Sequence, residues 1–356
     1  GPFPDPVNGV SVANINLKNY LVSKGLNVSS INTNFRNVSS KQGEGLPLLQ
    51  LLYFIKYYLQ LYKILPSRVV YITPGQSFFG IVKYAPFIFI CRLFRKPYLI
   101  HIHGNYLGKE YKKLQGLKRK IFRSLISGAH TGIALSPSLK SNFDDLLPDS
   151  RIRTVENFAE DLFFTGLGPE KNYGELRVLY MSNLIREKGI LDVLDSLLIL
   201  KKEAVPFQSE IAGHIEKTIE DLVREKLTLL GDQVRYYKEV RTALKKQVLV
   251  NANVFILPTY YSMEGQPISI IEAMASGNTI ICTPLPGITD IINERNAIFV
   301  ERENPAGIAG KLKELSKDLP RLRETGQYNA TFAMERFRLD VFGGKIYELL
   351  KEACRI

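Results

Sequence analysis

Short apolar runs alternate with longer mixed stretches along almost the whole chain. Residues 28–33, 69–73, 98–103, 131–136 and 153–157 read as short buried strands. Between them, residues 12–24, 48–65 and 111–127 carry apolar positions at helical spacing. A second series of strands follows at 177–182, 208–213, 234–237, 254–257, 279–283 and 297–300. Strand–helix alternation of this length implies parallel sheets covered on both faces, and two series imply two doubly wound α/β domains. The stretch 161–174, with Gly and Pro between the series, is the expected linker. The predicted boundaries are 1–160, 175–338 and a C-terminal segment 339–356, where Val341, Phe342, Ile346, Tyr347 and Leu350 recur at helical spacing. Ligands of such sheets bind beyond the carboxyl ends of the strands, so a site in a cleft between two domains is expected.

Length agrees with two domains: 356 residues exceed one ordinary core. Cys91, Cys282 and Cys354 have neither paired nor metal-type spacing, which suggests a reducing compartment. The four histidines lack clustered Cys or carboxylate partners, which argues against a structural zinc site, and His130 and His214 read as structural or surface residues. Charge changes the picture more. Residues 1–167 hold 21 Lys and Arg against 9 Asp and Glu, a net +12, whereas the remainder holds 26 against 26. The whole excess lies in the first half, which implies an anionic partner for that half. Nucleic acid is the least favoured, because only charge and no binding module is visible.

The most informative motif is residues 264–277, EGQPISIIEAMASG. Pro267 stands where a helix starts and Gly277 just past where it ends. Gly265 allows close approach of a ligand, and the free N–H groups at the positive helix end near Gln266–Ile268 form a seat for phosphate. Glu264 precedes that seat. Glu272 lies further along the helix, where a carboxylate can accept two hydroxyl hydrogen bonds, as from a ribose. The apolar face of Ile268, Ile271 and Ala275 is explained by packing, but packing does not require Glu264, Gly265 and Pro267.

This segment resembles the E-x7-E signature of the large family of retaining GT-B glycosyltransferases, glycosyl transferases group 1. The resemblance implies two facing Rossmann-like domains with an inter-domain cleft, and a last helix that crosses back to the first domain. Further motifs take meaning from it. Residues 183–189, Asn-Leu-Ile-Arg-Glu-Lys-Gly, are similar to the family's G-R-L-x-x-x-K-G turn. Lys188 matches the lysine on the donor diphosphate. Asn183 replaces the family's arginine, with Arg186 as the candidate substitute. Gly9, after Asn8, matches the second glycine of a Gly-Gly loop near the diphosphate. In the family a short first strand precedes that loop, and it is missing from this numbering. His103, at the end of the run 98–103, matches a histidine close to the transferred sugar. Asn157 resembles an architectural residue at the entry to the linker.

The implied activity is transfer of a sugar, with retention, from a nucleotide diphospho-sugar (UDP most often) to a glycan or polyprenyl-diphosphate-linked acceptor, as in bacterial surface polysaccharide synthesis. The catalytic candidates are Glu264, His103 and Lys188. Donor contacts are assigned to Gly9, Asn183, Arg186, Lys188, Gly265, Gln266, Pro267, Ile268 and Glu272. No metal and no cofactor is implied, the nucleotide-sugar being a substrate, and Asp144-Asp145 reads as a solvated face. The alternatives are a non-hydrolysing nucleotide-sugar epimerase and a non-catalytic membrane- or anion-binding protein on the same scaffold. Lys109–Arg123 is basic, with interleaved Leu114, Leu117, Ile121, Phe122 and Leu125. It reads equally as an interfacial helix on anionic lipid or as a helix packed on its own sheet. The charges Lys56, Lys63, Lys83 and Arg92 oppose a membrane span in the apolar stretches 46–65 and 78–94. The expected location is cytoplasmic, or peripheral on the inner face of the plasma membrane.

Overall fold

The computed structural model describes residues 1–5, 7–34, 57–165 and 171–355. The chain divides into two compact units, one formed by Gly1–Asn157 with Leu339–Ile356 and the other by Phe158–Arg338.

The first unit carries helix α1 (Gly9–Ser23), strand β1 (Val70–Ile72), helices α2 (Phe78–Val82) and α3 (Ala85–Leu93), strand β2 (Tyr98–Ile102), helices α4 (Leu107–Lys113) and α5 (Gly116–Ser127), and strands β3 (Thr131–Ala134) and β4 (Ile152–Thr154). The strands form a parallel sheet in the order β1-β2-β3-β4, with Leu99 opposite Thr131 and Gly132 opposite Ile152. Every residue of β2 and β3 is buried, so neither strand shows an alternating pattern, and the polar His101 and Thr131 are buried along with their apolar neighbours. Asn8 caps α1 by a reciprocal pair with Ser11, each side chain accepting the other's amide.

Two sequence expectations need correction here. Residues 28–33 form no strand: Thr33 N–H donates to the Gly1 carbonyl and Phe3 N–H to the Asn32 side chain, and no described sheet strand pairs with them. The predicted helix 111–127 is two helices. Leu114 is extended and Gly116 has φ +54°, a conformation that breaks the helical path at little cost in glycine. Of the predicted helix 48–65, residues 48–56 lie outside the described residues, and Leu61–Ile64 is a 3-10 turn.

The second unit contains β5 (Arg177–Met181), α6 (Ile190–Lys202), β6 (Gln208–Ala212), α7 (Glu220–Leu230), β7 (Val234–Tyr237), α8 (Thr242–Asn251), β8 (Val254–Leu257), α9 (Ile268–Ala275), β9 (Thr279–Cys282), β10 (Ala297–Phe299), α10 (Pro305–Ser316) and α11 (Leu319–Arg336). Its parallel sheet runs β10-β9-β8-β5-β6-β7. The chain leaves β5 toward one edge and restarts at β8 toward the other, so the strand order reverses between β5 and β8. In sheets of this kind such a reversal is where ligands bind, beyond the carboxyl ends of the strands. Val178 pairs with Val254 and Leu179 with Phe255 across that line. The stretch predicted as a linker begins inside this unit, where Asp161–Phe163 is a 3-10 turn and Phe163 is buried.

The last helix, α12 (Leu339–Cys354), belongs to the first unit and packs on α1, its Gly343 lying against the Tyr20 ring. Phe342, Ile346 and Leu350 form its buried stripe.

Candidate functional site

The helix predicted within residues 264–277 is α9, and Pro267 is its N-cap. Its end is set by Gly277 at φ +72°. Asn278 N–H donates to the Ala273 carbonyl and Gly277 N–H to that of Met274, the two bonds of a Schellman stop. Residues 270–275 are all buried, so α9 is held on every side. Only Ile268 and Ser269, in the first turn, keep part of their surface in solvent. The exposed turn is thus the end whose amides are free to bind an anion.

Two loops meet at the reversal point of the sheet. The loop after β5 contains a 3-10 turn at Arg186–Lys188, closed by Gly189 at φ +75°. A Cβ on Gly189 would lie 2.5 Å from the Pro258 carbonyl oxygen, so only glycine lets this turn reach the end of β8. The loop after β8 answers it. Tyr260 N–H donates to the Glu187 carbonyl at 2.8 Å, and Thr259 Oγ1 lies 3.3 Å from the same oxygen. The Tyr180 hydroxyl shares its one proton between the carbonyls of Asn183 and Lys188, at 3.2 and 3.4 Å.

This bracing brings Lys188 and Glu264 together across 76 residues. Lys188 Nζ lies 2.5 Å from Glu264 Oε2, and the Thr259 hydroxyl donates to the same oxygen at 3.0 Å. The ammonium also lies 5.2 Å from the centre of the Tyr261 ring. Glu264 is 9% exposed and Lys188 15%, so their attraction is only weakly screened. Burial, then the Glu264 charge, pushes the Tyr180 phenol well above its usual range.

Glu272 has its own cation. Lys245, from α8, donates to Glu272 Oε1 at 2.6 Å and lies 4.9 Å from the centre of the Phe163 ring. Glu272 is 1% exposed. Burial raises its carboxyl pKa, with Lys245 pulling in the opposite direction. Each glutamate of the E-x7-E spacing is therefore paired with a lysine from a different element. Gly265, Gln266 and Pro267 are buried beside Glu264. Asn183 and Arg186 are exposed, and the charge of Arg186 interacts with Asp192 and Tyr260. The cation paired with Glu264 is Lys188.

Sequence reading missed Lys245, Thr259 and Tyr261. Thr259 and Tyr261 follow the run 254–257, so the rule that strand ends carry function pointed to them. Nothing local distinguishes Lys245 from its neighbour Lys246 in α8.

In the first unit, Gly9 is the exposed first residue of α1. His103 follows β2, its ring centre 4.1 Å from that of His101. His101 Nδ1 is 2.5 Å from the Tyr71 hydroxyl. Both ring nitrogens of His103 are buried. Burial lowers its pKa to about 4, opposed by Asn157, and holds His101 well below the ordinary histidine value. Both imidazoles are neutral at pH 7. As it stands, His103 presents no polar atom to solvent, so a hydroxyl-binding role would require the ring to turn.

Comparison with known proteins adds to this geometry. Residues 168–332 match the family model described as Glycosyl transferases group 1. The amylovoran biosynthesis glycosyltransferase AmsK of Erwinia amylovora is 26% identical over 261 residues, 63% of this chain and 63% of its own. An N,N'-diacetylbacillosaminyl-diphospho-undecaprenol alpha-1,3-N-acetylgalactosaminyltransferase from Campylobacter jejuni is 26% identical over 165 residues, 46% of this chain and 41% of that protein. The chain spans less than two thirds of the length of each of these two relatives. Among solved structures, Anabaena Alr3699/HepE in complex with UDP superposes with a TM-score of 0.66 at 16% identity, covering 86% of this chain and 84% of that one. That likeness concerns the fold: two Rossmann-like units of the GT-B class.

Proposed function

From a GT-B chain whose residues 168–332 form a group 1 glycosyl transferase domain, we propose transfer of a sugar, with retention, from a nucleotide diphospho-sugar to a hydroxyl of a glycan or polyprenyl-diphosphate-linked acceptor. Bacterial surface polysaccharide synthesis is the setting that the relatives' names support. UDP is the preferred nucleotide, on the likeness to a fold solved with UDP. The observation that carries the reading is the meeting of Lys188 and Glu264 at the sheet's reversal point, beside the open first turn of α9.

In this reading the donor diphosphate lies on the amides of Ile268 and Ser269 and against Lys188. The ammonium has three protons. It can keep one on Glu264 and direct another to a phosphate oxygen. As the anomeric carbon–oxygen bond breaks, negative charge grows on the leaving diphosphate, and Lys188 stabilises it. The acceptor oxygen bonds to the anomeric carbon on the same face, and its proton passes to the departing phosphate oxygen. Glu264 orients hydroxyls of the transferred sugar, and Glu272, 1% exposed and held by Lys245, meets those of the ribose once that pair opens to the donor. The cationic work falls to Lys188, with no metal in the scheme.

The test is a thermal-shift panel of UDP, GDP and ADP, followed by assay of the matching donor with lipid-linked and free glycan acceptors. Stabilisation by one nucleotide, lost in Glu272→Ala, and an α-product from an α-donor are the expected results. Conversion of the donor sugar without any acceptor would replace transfer by epimerisation, and an inverted product would end the retaining scheme.

A further inference from the structure

The first unit carries an exposed face that its own fold does not use. On α2, Phe79 is 76% exposed, and on α3, Phe89 and Leu93 are 63% and 60% exposed, one helical turn apart. On α5, Leu117 is 72% exposed, and Ile121, also one turn on, is partly so. The buried stripe of α5 is Phe122, Leu125 and Ile126, so the helix has two apolar faces, one packed on its domain and one in water.

The three helices are neighbours. Lys118 Nζ of α5 lies 5.8 Å from the centre of the Phe78 ring of α2, whose neighbour Phe79 is in edge contact with it. Arg92 of α3, next to Leu93 and one turn from Phe89, donates to the Ser124 hydroxyl of α5 at 3.2 Å. Ser124 in turn is one turn from Ile121. The exposed apolar side chains thus belong to adjoining helices rather than being scattered. Single exposed apolar residues need no explanation, but a contiguous group does.

Charge identifies the occupant. Between residues 45 and 143 there are 15 Lys and Arg and a single acid, Glu110. Glu110 is itself engaged, accepting the Phe78 amide at the start of α2 at 2.8 Å. Lys118, Lys120 and Arg123 are exposed on α5 beside Leu117 and Ile121. Apolar side chains rimmed by one sign of charge match a lamella of hydrocarbon beneath anionic headgroups. No helix among the described residues is long and apolar enough to cross a membrane.

We infer that the α2–α3–α5 face docks on an anionic bilayer surface, with Phe79, Phe89, Leu93 and Leu117 entering the headgroup–acyl boundary and the α5 cations meeting lipid phosphate. This extends the reading of a lipid-linked acceptor, because such a surface would hold the chain where that acceptor resides.

Flotation of the full chain with vesicles of phosphatidylcholine and phosphatidylglycerol tests it, against vesicles of phosphatidylcholine alone. The wild type is expected to float with the anionic vesicles and to lose most binding as salt rises from about 50 to about 500 mM. Phe79→Ser with Phe89→Ser should lower partition about tenfold or more. Lys118→Glu with Arg123→Glu should abolish the salt-sensitive part. The replaced side chains lie on the surface, so both variants should melt with the wild type. If one does not, the wild type's lipid and salt dependence still decides. Absence of flotation, equal binding to neutral vesicles, or unchanged binding of both variants would overturn the docking. So would sedimentation showing that the same face instead joins two copies of the chain. Nucleotide-induced thermal shift in the same samples reads the donor site separately, so failure there counts against the proposed transfer and not against the docking.

Discussion

Lys245→Ala isolates one buried charge pair in the candidate site. Its ammonium is 2.6 Å from Glu272 Oε1, and Glu272 is 1% exposed. Removing one partner of a buried pair typically costs about 3–5 kcal/mol, because the remaining charge is stranded away from water. Lys245 keeps a fifth of its side chain in solvent, so its attraction is partly screened and about 2–4 kcal/mol is expected. For a unit of this size that corresponds to a fall in melting temperature on the order of 5–12 °C. The loss should depend on pH in a defined direction. Burial already raises the Glu272 pKa from 4.5, and Lys245 opposes that rise. Without the lysine the pKa rises further. A carboxyl that binds its proton more tightly when folded favours folding below its unfolded pKa, and that contribution is lost as pH climbs through the folded value. The deficit of Lys245→Ala should therefore be greatest near pH 8 and shrink toward pH 5. Calorimetric melting at several pH values measures it. Combining Lys245→Met with Glu272→Gln should recover much of the loss, since neither charge is then left alone. A deficit that is independent of pH, or below about 0.5 kcal/mol, would refute the view that Lys245 neutralises Glu272.

Other expectations follow from the same geometry. Lys188→Ala should lower the transfer rate by about 100-fold or more with a smaller change in donor affinity, as measured by initial rates, since its work grows with charge on the leaving group. Gly189→Ala should destabilise the protein by about 1–3 kcal/mol in thermal melts, because alanine at φ +75° is strained and its methyl would meet the Pro258 carbonyl. His103, with a pKa lowered to about 4, contributes stability that is present above its unfolded pKa of 6.5 and is lost as pH falls toward 4. Acid melting should therefore be shallower over that window in His103→Asn. Addition of EDTA should leave transfer unchanged; restoration of a lost rate by Mg²⁺ or Mn²⁺ would require a metal that the proposed scheme lacks.

Much of the architecture was written in local order. The run 254–257 is apolar throughout because it is a strand buried on both faces, and 98–102 is buried likewise, with His101 its one polar member. Pro267 and Gly277 bound α9 because each has backbone restrictions of its own, independent of the fold. Gly116 carried the signal for the break between α4 and α5, but the apolar spacing on either side concealed it. Residues 28–33 show the opposite failure: they read as a strand, yet a strand exists only when a neighbour supplies hydrogen bonds along it, and no described sheet strand pairs with them.

The sequence by itself determined which residue types stand at strand ends and helix starts, Lys188, Glu264 and Glu272 among them. Only the tertiary structure decided their partners. Lys188 meets Glu264 and Lys245 meets Glu272 because parallel crossovers place β5 beside β8 and bring α8 against α9. Likewise, the chain displays Leu117 and Phe122 with equal apolar character, and packing alone sends one to water and the other to the core. Short-range preferences act within a few residues, whereas the pairing of charges and the choice of a buried face depend on which distant segment the sheet order brings alongside.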